Sequence, residues 1–128
     1  MNKTIFLTGV LFGIFAIVFG AFGAHSLKEM ISSAALDSYE TGVKYQMYHA
    51  LLLLLLGRLG SDSKISLKGV YYLITIGVIC FSFSIYLLSL QEILDLELGF
   101  LGLITPFGGV LLIAGWILMG YRFFKQNN

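Results

Sequence analysis

The stretch TGVKYQMYHALLLLLL, residues 41–56, decides the fold, because it runs without a turn signal from polar residues into six consecutive leucines. A helix through it places Gly42, Tyr45, Gln46 and His49 on one stripe, since residues three, four and seven apart share a helix face. A phenol, a carboxamide and an imidazole on a helix that continues as pure hydrocarbon indicate a membrane environment. We therefore predict an integral membrane protein.

The composition agrees with this interpretation. Of 128 residues, 58% are hydrophobic and 12% are charged, whereas a soluble domain carries about 25% charged residues. The formal net charge of +1 gives no electrostatic basis for binding nucleic acid. We expect the lipid bilayer to be the main partner of the chain and expect no nucleic-acid partner.

Four apolar segments are long enough to cross the ~30 Å hydrocarbon core of a bilayer. The predicted fold is an all-α membrane protein, an antiparallel bundle of four transmembrane helices in a single domain that comprises residues 1–128. The predicted spans cover residues 5–25, 39–59, 69–90 and 98–121.

A short interfacial helix is expected between the first two spans. Ser26 and Glu29 have the S-x-x-E spacing of a capping box, and apolar residues recur at helical spacing after them. We predict an amphipathic helix over residues 27–36, lying at the membrane surface. The sequence DSYE, residues 37–40, is a second N-terminal signal, so the second span should begin near Tyr39.

The dipeptide Thr105-Pro106 leaves two interpretations of the fourth helix. Pro106 is either the first residue of a helix capped by Thr105 or a kink inside a helix that begins near Leu98. The first alternative leaves only residues 106–121 to span the membrane, which is marginal. We therefore favour the kink.

The basic residues predict the orientation. With four spans, one side of the membrane carries six of them, namely Lys3, Arg58, Lys64, Lys68, Arg122 and Lys125. The other side carries only Lys28 and Lys44. Because cytoplasmic loops are enriched in Lys and Arg, we predict a plasma-membrane protein with both termini in the cytoplasm.

This orientation puts the polar side chains in the outer half of the bundle. His49 is the deepest, about ten residues into its helix or ~15 Å at 1.5 Å per residue. The candidate polar site comprises His25, Tyr45, Gln46, His49, Ser82, Tyr86 and Thr105. The inner half should be almost pure hydrocarbon with glycine.

Two interpretations of this site stay open. In the first, Gln46 and His49 clasp the bundle by bonding to hydroxyl or carbonyl groups of neighbouring helices, at about 0.6 kcal/mol per bond. In the second, the cluster binds a small ligand, a lipid headgroup or a proton shared by His25 and His49, because ionisable groups inside a membrane are functional candidates. Two histidines without a third ligand predict no metal site. We expect no cofactor and, since no catalytic motif occurs, no enzymatic activity.

Glycines at helical spacing predict close helix packing. They are Gly9, Gly13 and Gly20 in the first helix and Gly108, Gly109 and Gly115 in the fourth. If the protein forms a homo-oligomer or binds another membrane protein, the same glycines would supply the assembly faces.

Four blocks carry a family resemblance. They are GAFGAHSLK at 20–28, YETGVKYQMYHALLLL at 39–54, FSFSIYLL at 81–88 and LITPFGGVLLIAGW at 103–116. In this order they resemble the signature blocks of domain-of-unknown-function family 423, also called uncharacterised protein family 0382. The resemblance implies a small multi-pass membrane protein and implies no established activity, substrate or cofactor.

The functional hypothesis is a membrane protein without catalytic activity, whose polar cluster is structural or binds a small ligand or lipid. One alternative is a transporter or channel subunit that handles protons or a small solute. Since four helices rarely enclose a pathway, that alternative requires an oligomer. Another alternative is an accessory subunit of a larger membrane complex.

Overall fold

The structure is a computed structural model that describes residues 2–60 and 65–126. Every regular element in these two ranges is helical. The four long helices are α1 (Lys3–His25), α2 (Ser33–Leu59), α3 (Lys68–Leu94) and α4 (Leu101–Gln126). The middle of α3, Ile79–Phe83, has π-helical geometry. The predicted all-α fold is thus confirmed.

Three of the helices are long and apolar enough to cross a membrane: α1 with the turn that follows it, α3 and α4. The most polar of the four, α2, is not among them, so the predicted second span, residues 39–59, is not confirmed. Its polar side chains nevertheless point inward, because Gln46 and His49 are buried while Leu51 and Leu55 are exposed.

The helices pack against one another in sequence order. The start of α1 contacts the end of α2, where the Asn2 backbone N–H donates to the Gly57 carbonyl at 2.8 Å. At the other end of this pair, Gly23 lies against the Tyr39 ring. In the α3–α4 pair, Gly77 lies against Leu112. Small residues therefore bring the backbones of both pairs close together.

One face of the leucine run is buried in the bundle, and the other face is exposed. Leu52, Leu53 and Leu56 are buried in a core with Val70 and Ile74 of α3. The outward faces of α1 and α4 are apolar as well, and Ile17 and Leu103 are 65% and 79% exposed, respectively. A chain that exposes such side chains along whole helices is suited to a lipid environment rather than to water.

The predicted interfacial helix over residues 27–36 is wrong. The range holds the single 3₁₀ turn Leu27–Glu29 and, from Ser33, the first residues of α2, and Ser26 makes no side-chain capping bond. Leu27 is buried against Tyr39 and Tyr86, which holds this segment on the bundle.

The start of α2 is corrected as well, from Tyr39 to Ser33. Its N-cap is Ser32, whose Oγ accepts a hydrogen bond from the Ala35 N–H at 3.2 Å. Ala34, Ala35 and Leu36 are strong helix formers, so the helix begins about one turn before the DSYE signal at residues 37–40.

The ends of the last two helices also differ from the predictions. The C-cap of α3 is Asp95, in the left-handed conformation with φ 51°, so the helix runs to Leu94. Residues 98–100 form turns, and α4 runs from Leu101 to Gln126. Pro106 lies inside α4, as predicted, while the kink itself stays a prediction. Lys64, counted for the orientation, lies outside the described residues.

Candidate functional site

Gln46 lies at the centre of the polar cluster and connects three helices. Its side chain is fully buried, with 0% exposure. The Nε2 atom donates to the Phe12 carbonyl of α1 at 2.9 Å, and Oε1 accepts from the Tyr86 hydroxyl of α3 at 2.7 Å. Both ends of the amide are therefore used, and α2 is tied to the helices on either side of it.

One turn before Gln46, the backbone of α2 approaches α3 directly at Gly42. A Cβ atom on Gly42 would lie 2.8 Å from the Tyr86 ring, so only glycine fits there without a shift. The Gly42 carbonyl accepts a hydrogen bond from Ser82 Oγ at 2.8 Å. Ser82 belongs to the π-helical segment of α3, a geometry often found at functional sites.

His49 forms a separate contact on the other side of α2. It is 4% exposed, and its Nδ1 lies 2.7 Å from its own helix's Tyr45 carbonyl. Trp116 of α4 donates from Nε1 to His49 Nε2 at 3.1 Å. An indole nitrogen can only donate, so Nε2 must be unprotonated and Nδ1 must carry the proton. The imidazole in this arrangement is neutral.

Thr105 joins α3 to α4. Its hydroxyl lies 2.6 Å from Ser84 Oγ, and one of the two hydroxyls donates to the other. The hydroxyl that accepts this bond donates to a carbonyl of its own helix, Phe81 for Ser84 or Leu101 for Thr105. Every pair of sequential helices is thus joined by at least one interhelical hydrogen bond from the polar cluster.

The predicted site residues fall into distinct groups. Gln46, Tyr86 and Ser82 lie together, whereas His49 and Thr105 bond elsewhere. Tyr45 contributes its carbonyl, and its ring is 42% exposed and packs on Phe81.

The proposed pairing of His25 with His49 has no support in the geometry. His25 is the exposed last residue of α1. Within residues 2–60 and 65–126, no hydrogen bond or ring contact joins it to the other candidates. A functional role for any of the site residues stays a prediction.

Sequence reasoning missed two members of the cluster. The Tyr39 hydroxyl donates to the Phe19 carbonyl of α1 at 2.7 Å, and Trp116 is the partner of His49. Both had a signal. Tyr39 precedes Gly42 and Gln46 by three and seven residues, which places it on their stripe. Trp116 carries an N–H donor that needs an acceptor when it is partly buried.

The half of the bundle that we predicted to be almost pure hydrocarbon with glycine contains one hydroxyl pair. Thr8 of α1 and Tyr71 of α3 share a hydrogen bond of 3.0 Å between their hydroxyls. This bond joins α1 to α3 at the end of the bundle opposite the polar cluster. The sequence did not reveal it, because Thr8 lies on an otherwise apolar helix.

The predicted packing glycines make contacts within the chain. The tightest are Gly9 against the backbone of residues 50 and 54, Gly108 against Cys80 and Phe81, and Gly115 against Ile74, with Gly20 at 3.3 Å from Val43. Gly13 and Gly109 meet their neighbours only at 3.8–3.9 Å. Assembly with another copy or another protein stays a prediction, but the tightest glycines are already used inside the chain.

A groove of about 320 Å³ runs beside His49 between α2 and α4. Its walls include Tyr45, Phe81, Gly109 and Trp116. Among the residues that the structure describes, no group of three or more His, Cys, Asp or Glu side chains is placed to hold a metal ion. The chemistry of the groove is therefore that of neutral hydrogen-bonding groups on an apolar floor.

Apolar helices of spanning length, with polar groups bonded between them, define an integral membrane protein. Comparison with known proteins gives the family. The model of the family "Protein of unknown function (DUF423)" matches residues 19–109. The chain therefore belongs to the DUF423 family, whose curated relatives are called UPF0382 membrane proteins.

Three staphylococcal relatives illustrate this membership. The chain is 38% identical over 123 residues to a UPF0382 membrane protein of Staphylococcus saprophyticus, covering 96% of this chain and 98% of the relative. Relatives from Staphylococcus aureus (strain bovine RF122) and Staphylococcus haemolyticus are 42% and 37% identical, each over 96% of this chain and 97% of their own length. None of the solved structures matches the chain significantly.

Proposed function

We propose that this protein is a structural, non-catalytic membrane protein whose polar cluster fastens its helices together. The observation that carries this proposal is the pairing of Gln46, whose amide is fully buried with both ends bonded to other helices. A binding site for a polar solute would need groups left free for that solute. Gln46, Tyr86 and Ser82 bond to one another and to the backbone instead.

In the same proposal, α2 also spans the membrane, so that α1 to α4 form an antiparallel bundle of four transmembrane helices. Its polar residues lower its hydropathy, but they are turned toward the other helices. A polar side chain inside a helix bundle does not meet lipid, so it does not prevent the helix from spanning. The pairing of Asn2 with Gly57 at one end and Gly23 with Tyr39 at the other supports opposite directions for α1 and α2.

The orientation belongs to the proposal as well: the plasma membrane, with both termini in the cytoplasm. Cysteine labelling tests it in a Cys80→Ser background, which removes the chain's only cysteine. We expect a membrane-impermeant maleimide added to intact cells to label Ser32→Cys and to leave Gln126→Cys unlabelled. Labelling of Gln126→Cys alone would reverse the orientation, and labelling of both would contradict four spans.

A double-mutant cycle tests the clasp. We expect Gln46→Leu and Tyr86→Phe each to lower the thermal stability of the detergent-purified protein, since each leaves a buried partner unpaired. The coupling between them should be about 0.6 kcal/mol and at most about 1.7 kcal/mol, as for other hydrogen bonds inside membrane proteins. Tyr121→Phe, at an exposed tyrosine of α4, is the matched control. Unchanged melting of Gln46→Leu would refute the structural proposal.

The proton-handling alternative has less support. His49 accepts a hydrogen bond from Trp116 at Nε2, and a protonated imidazole would present an N–H to that N–H. The accessory-subunit alternative rests on the exposed apolar faces of α1 and α4, which are equally suited to lipid.

A further inference from the structure

A second cavity, of about 470 Å³, opens between the start of α2, the end of α3 and the start of α4. Ser89 of α3 lines it and is 7% exposed, yet its Oγ has no hydrogen-bond partner in the described part of the chain. A buried hydroxyl without a partner is costly, and a helical serine usually donates to a carbonyl one turn earlier. The Ser89 Oγ atom has almost no accessible surface, so its hydroxyl reaches a molecule in the cavity when the side chain rotates.

The same cavity offers a hydrogen-bond acceptor on α4. Pro106 lies inside the helix and has no N–H, so the carbonyl of Gly102, four residues earlier, loses its helical donor. Gly102 and Pro106 both line the cavity, so the residue that carries this carbonyl is part of its wall. An unpaired donor on α3 and a released acceptor on α4 therefore belong to one space.

The remaining wall excludes charged ligands. In the two described ranges, no charged residue lines the cavity, and Ile85 and Leu88 supply apolar surface. The nearest charges along the chain are acidic: Asp37 adjoins Ser38 of the wall, and Glu92 follows Ser89 by three residues. An anionic headgroup would be repelled there. The cavity therefore favours an uncharged ligand.

The position of the cavity matches the ester level of a bilayer. Ser89 lies five residues before the end of α3 at Leu94, or ~8 Å at 1.5 Å per residue. The headgroup layer on each side of the ~30 Å hydrocarbon core is about 5–8 Å thick. A ligand at Ser89 would thus sit where polar lipid groups meet the acyl chains.

The cavity and the groove beside His49 follow one another along α4. Thr105 and Pro106 line the cavity, and Gly109, one turn further along α4, lines the groove. From Gly102 to Trp116 is 14 residues (116 − 102), or ~21 Å of helix. One leaflet of the hydrocarbon core is about 15 Å deep, so a cleft formed by these two spaces would be long enough for an acyl chain.

We propose that this cleft binds diacylglycerol, an uncharged lipid with ester carbonyls and one free hydroxyl. Ser89 donates to an ester carbonyl, the lipid hydroxyl donates to the Gly102 carbonyl, and one acyl chain lies along α4 toward Trp116. The site uses groups that the clasp around Gln46 leaves free. It requires α2 to lie in the membrane but does not require the clasp to be structural.

Trp116 makes this proposal measurable, because it is the only tryptophan in the chain and lines the groove. The purified protein in detergent micelles is titrated with diacylglycerol brominated on its acyl chains, and with brominated phosphatidylcholine and phosphatidylglycerol at the same mole fractions. We expect saturable quenching of the Trp116 fluorescence by diacylglycerol at a mole fraction at least fivefold lower than by either phospholipid. Equal quenching by all three lipids, or stronger quenching by phosphatidylglycerol, overturns the proposal.

Two glycines of α4 provide a matched pair of variants. A Cβ atom at Gly102 or at Gly120 meets nothing within 4 Å, so a leucine fits at either position without a clash. Only Gly102 lines the cavity. We expect Gly102→Leu to abolish the preference for diacylglycerol and Gly120→Leu to retain it. If Gly102→Leu retains the preference, the lipid binds elsewhere and the proposal fails.

Ser89→Ala tests the hydroxyl. It should weaken diacylglycerol quenching about fivefold, the loss expected for one hydrogen bond, while Ser33→Ala, at an exposed serine of α2, should leave it unchanged. An unchanged titration for Ser89→Ala overturns the assigned contact. Failure of these lipid titrations leaves the melting data on Gln46 and Tyr86 unaffected, so the two proposals are distinguished.

Discussion

The two halves of the helix bundle are held together by different means. In the polar half, Gln46, Tyr86 and Ser82 bond across the helices. In the glycine half, Gly9 and Gly57 bring the backbones of α1 and α2 into direct contact. Between helices in lipid, apolar burial supplies no driving force, because lipid tails are as apolar as leucine. Specific pairing therefore has to come from hydrogen bonds or from close approach, and each half relies mainly on one of them.

This difference predicts which half of the bundle tolerates substitutions better. A side chain that loses a hydrogen bond inside a membrane protein costs about 0.6 kcal/mol on average, because the unfolded state also finds partners. The cost of a Cβ atom placed against a backbone is not reduced in this way, since the backbone of a packed helix cannot move aside alone. We expect the glycine half to be the less tolerant one.

The largest effect is expected for Gly9→Ala. The added Cβ would lie 2.9 Å from both the Ala50 carbonyl oxygen and the Leu54 nitrogen, which are backbone atoms. Overpacking of this kind costs about 1–3 kcal/mol. Gly13→Ala is the matched control, because its Cβ lies 3.9 Å from Ala50 Cβ and alanine is the better helix former. Equal melting temperatures of the two variants in detergent would contradict the assignment of Gly9 to a tight contact.

A smaller effect is expected for His49→Ala. The substitution removes the acceptor of the Trp116 N–H and leaves a space between α2 and α4. Its cost should approach the upper end for a membrane hydrogen bond, about 1.7 kcal/mol. The control is His25→Ala at the exposed end of α1, which should melt like the unmodified protein. If both histidine variants melt alike, the hydrogen bond to Trp116 does not contribute to the stability of the fold.

The smallest effect is expected for Thr8→Val, which removes the one hydroxyl pair described in the glycine half. Loss of the 3.0 Å bond to Tyr71 should cost about 0.6 kcal/mol. Thr4→Val, at an exposed threonine one turn earlier, controls for the β-branched substitution itself. A loss larger than that of Gly9→Ala would show that the glycine half depends on this hydrogen bond more than on close backbone approach.

The class of fold and the inward stripe of α2 were predictable, because periodicity reports which residues share a face. The start of α2 was not, since the signal used, DSYE at residues 37–40, lies inside the helix, and the N-cap Ser32 was not singled out by the sequence pattern. The partners of Gln46 and His49 were not predictable either. They depend on how α1, α3 and α4 are rotated about their own axes, and an apolar helix exposed to lipid carries little periodic signal for that rotation.

The π-helical segment Ile79–Phe83 lies between the two halves and has a consequence for how the sequence can vary. A π turn closes its hydrogen bond one residue later than an α turn, and one residue corresponds to about 100° around a helix. Deleting a single residue there would restore a plain α-helix and leave Tyr86 facing Gln46 and Ile74 against Gly115. Converting the segment to α geometry at constant length would instead turn Tyr86 about 100° away from Gln46. The π-helical segment therefore sets the rotation of the Tyr86 end of α3 about the helix axis relative to the Ile74 end.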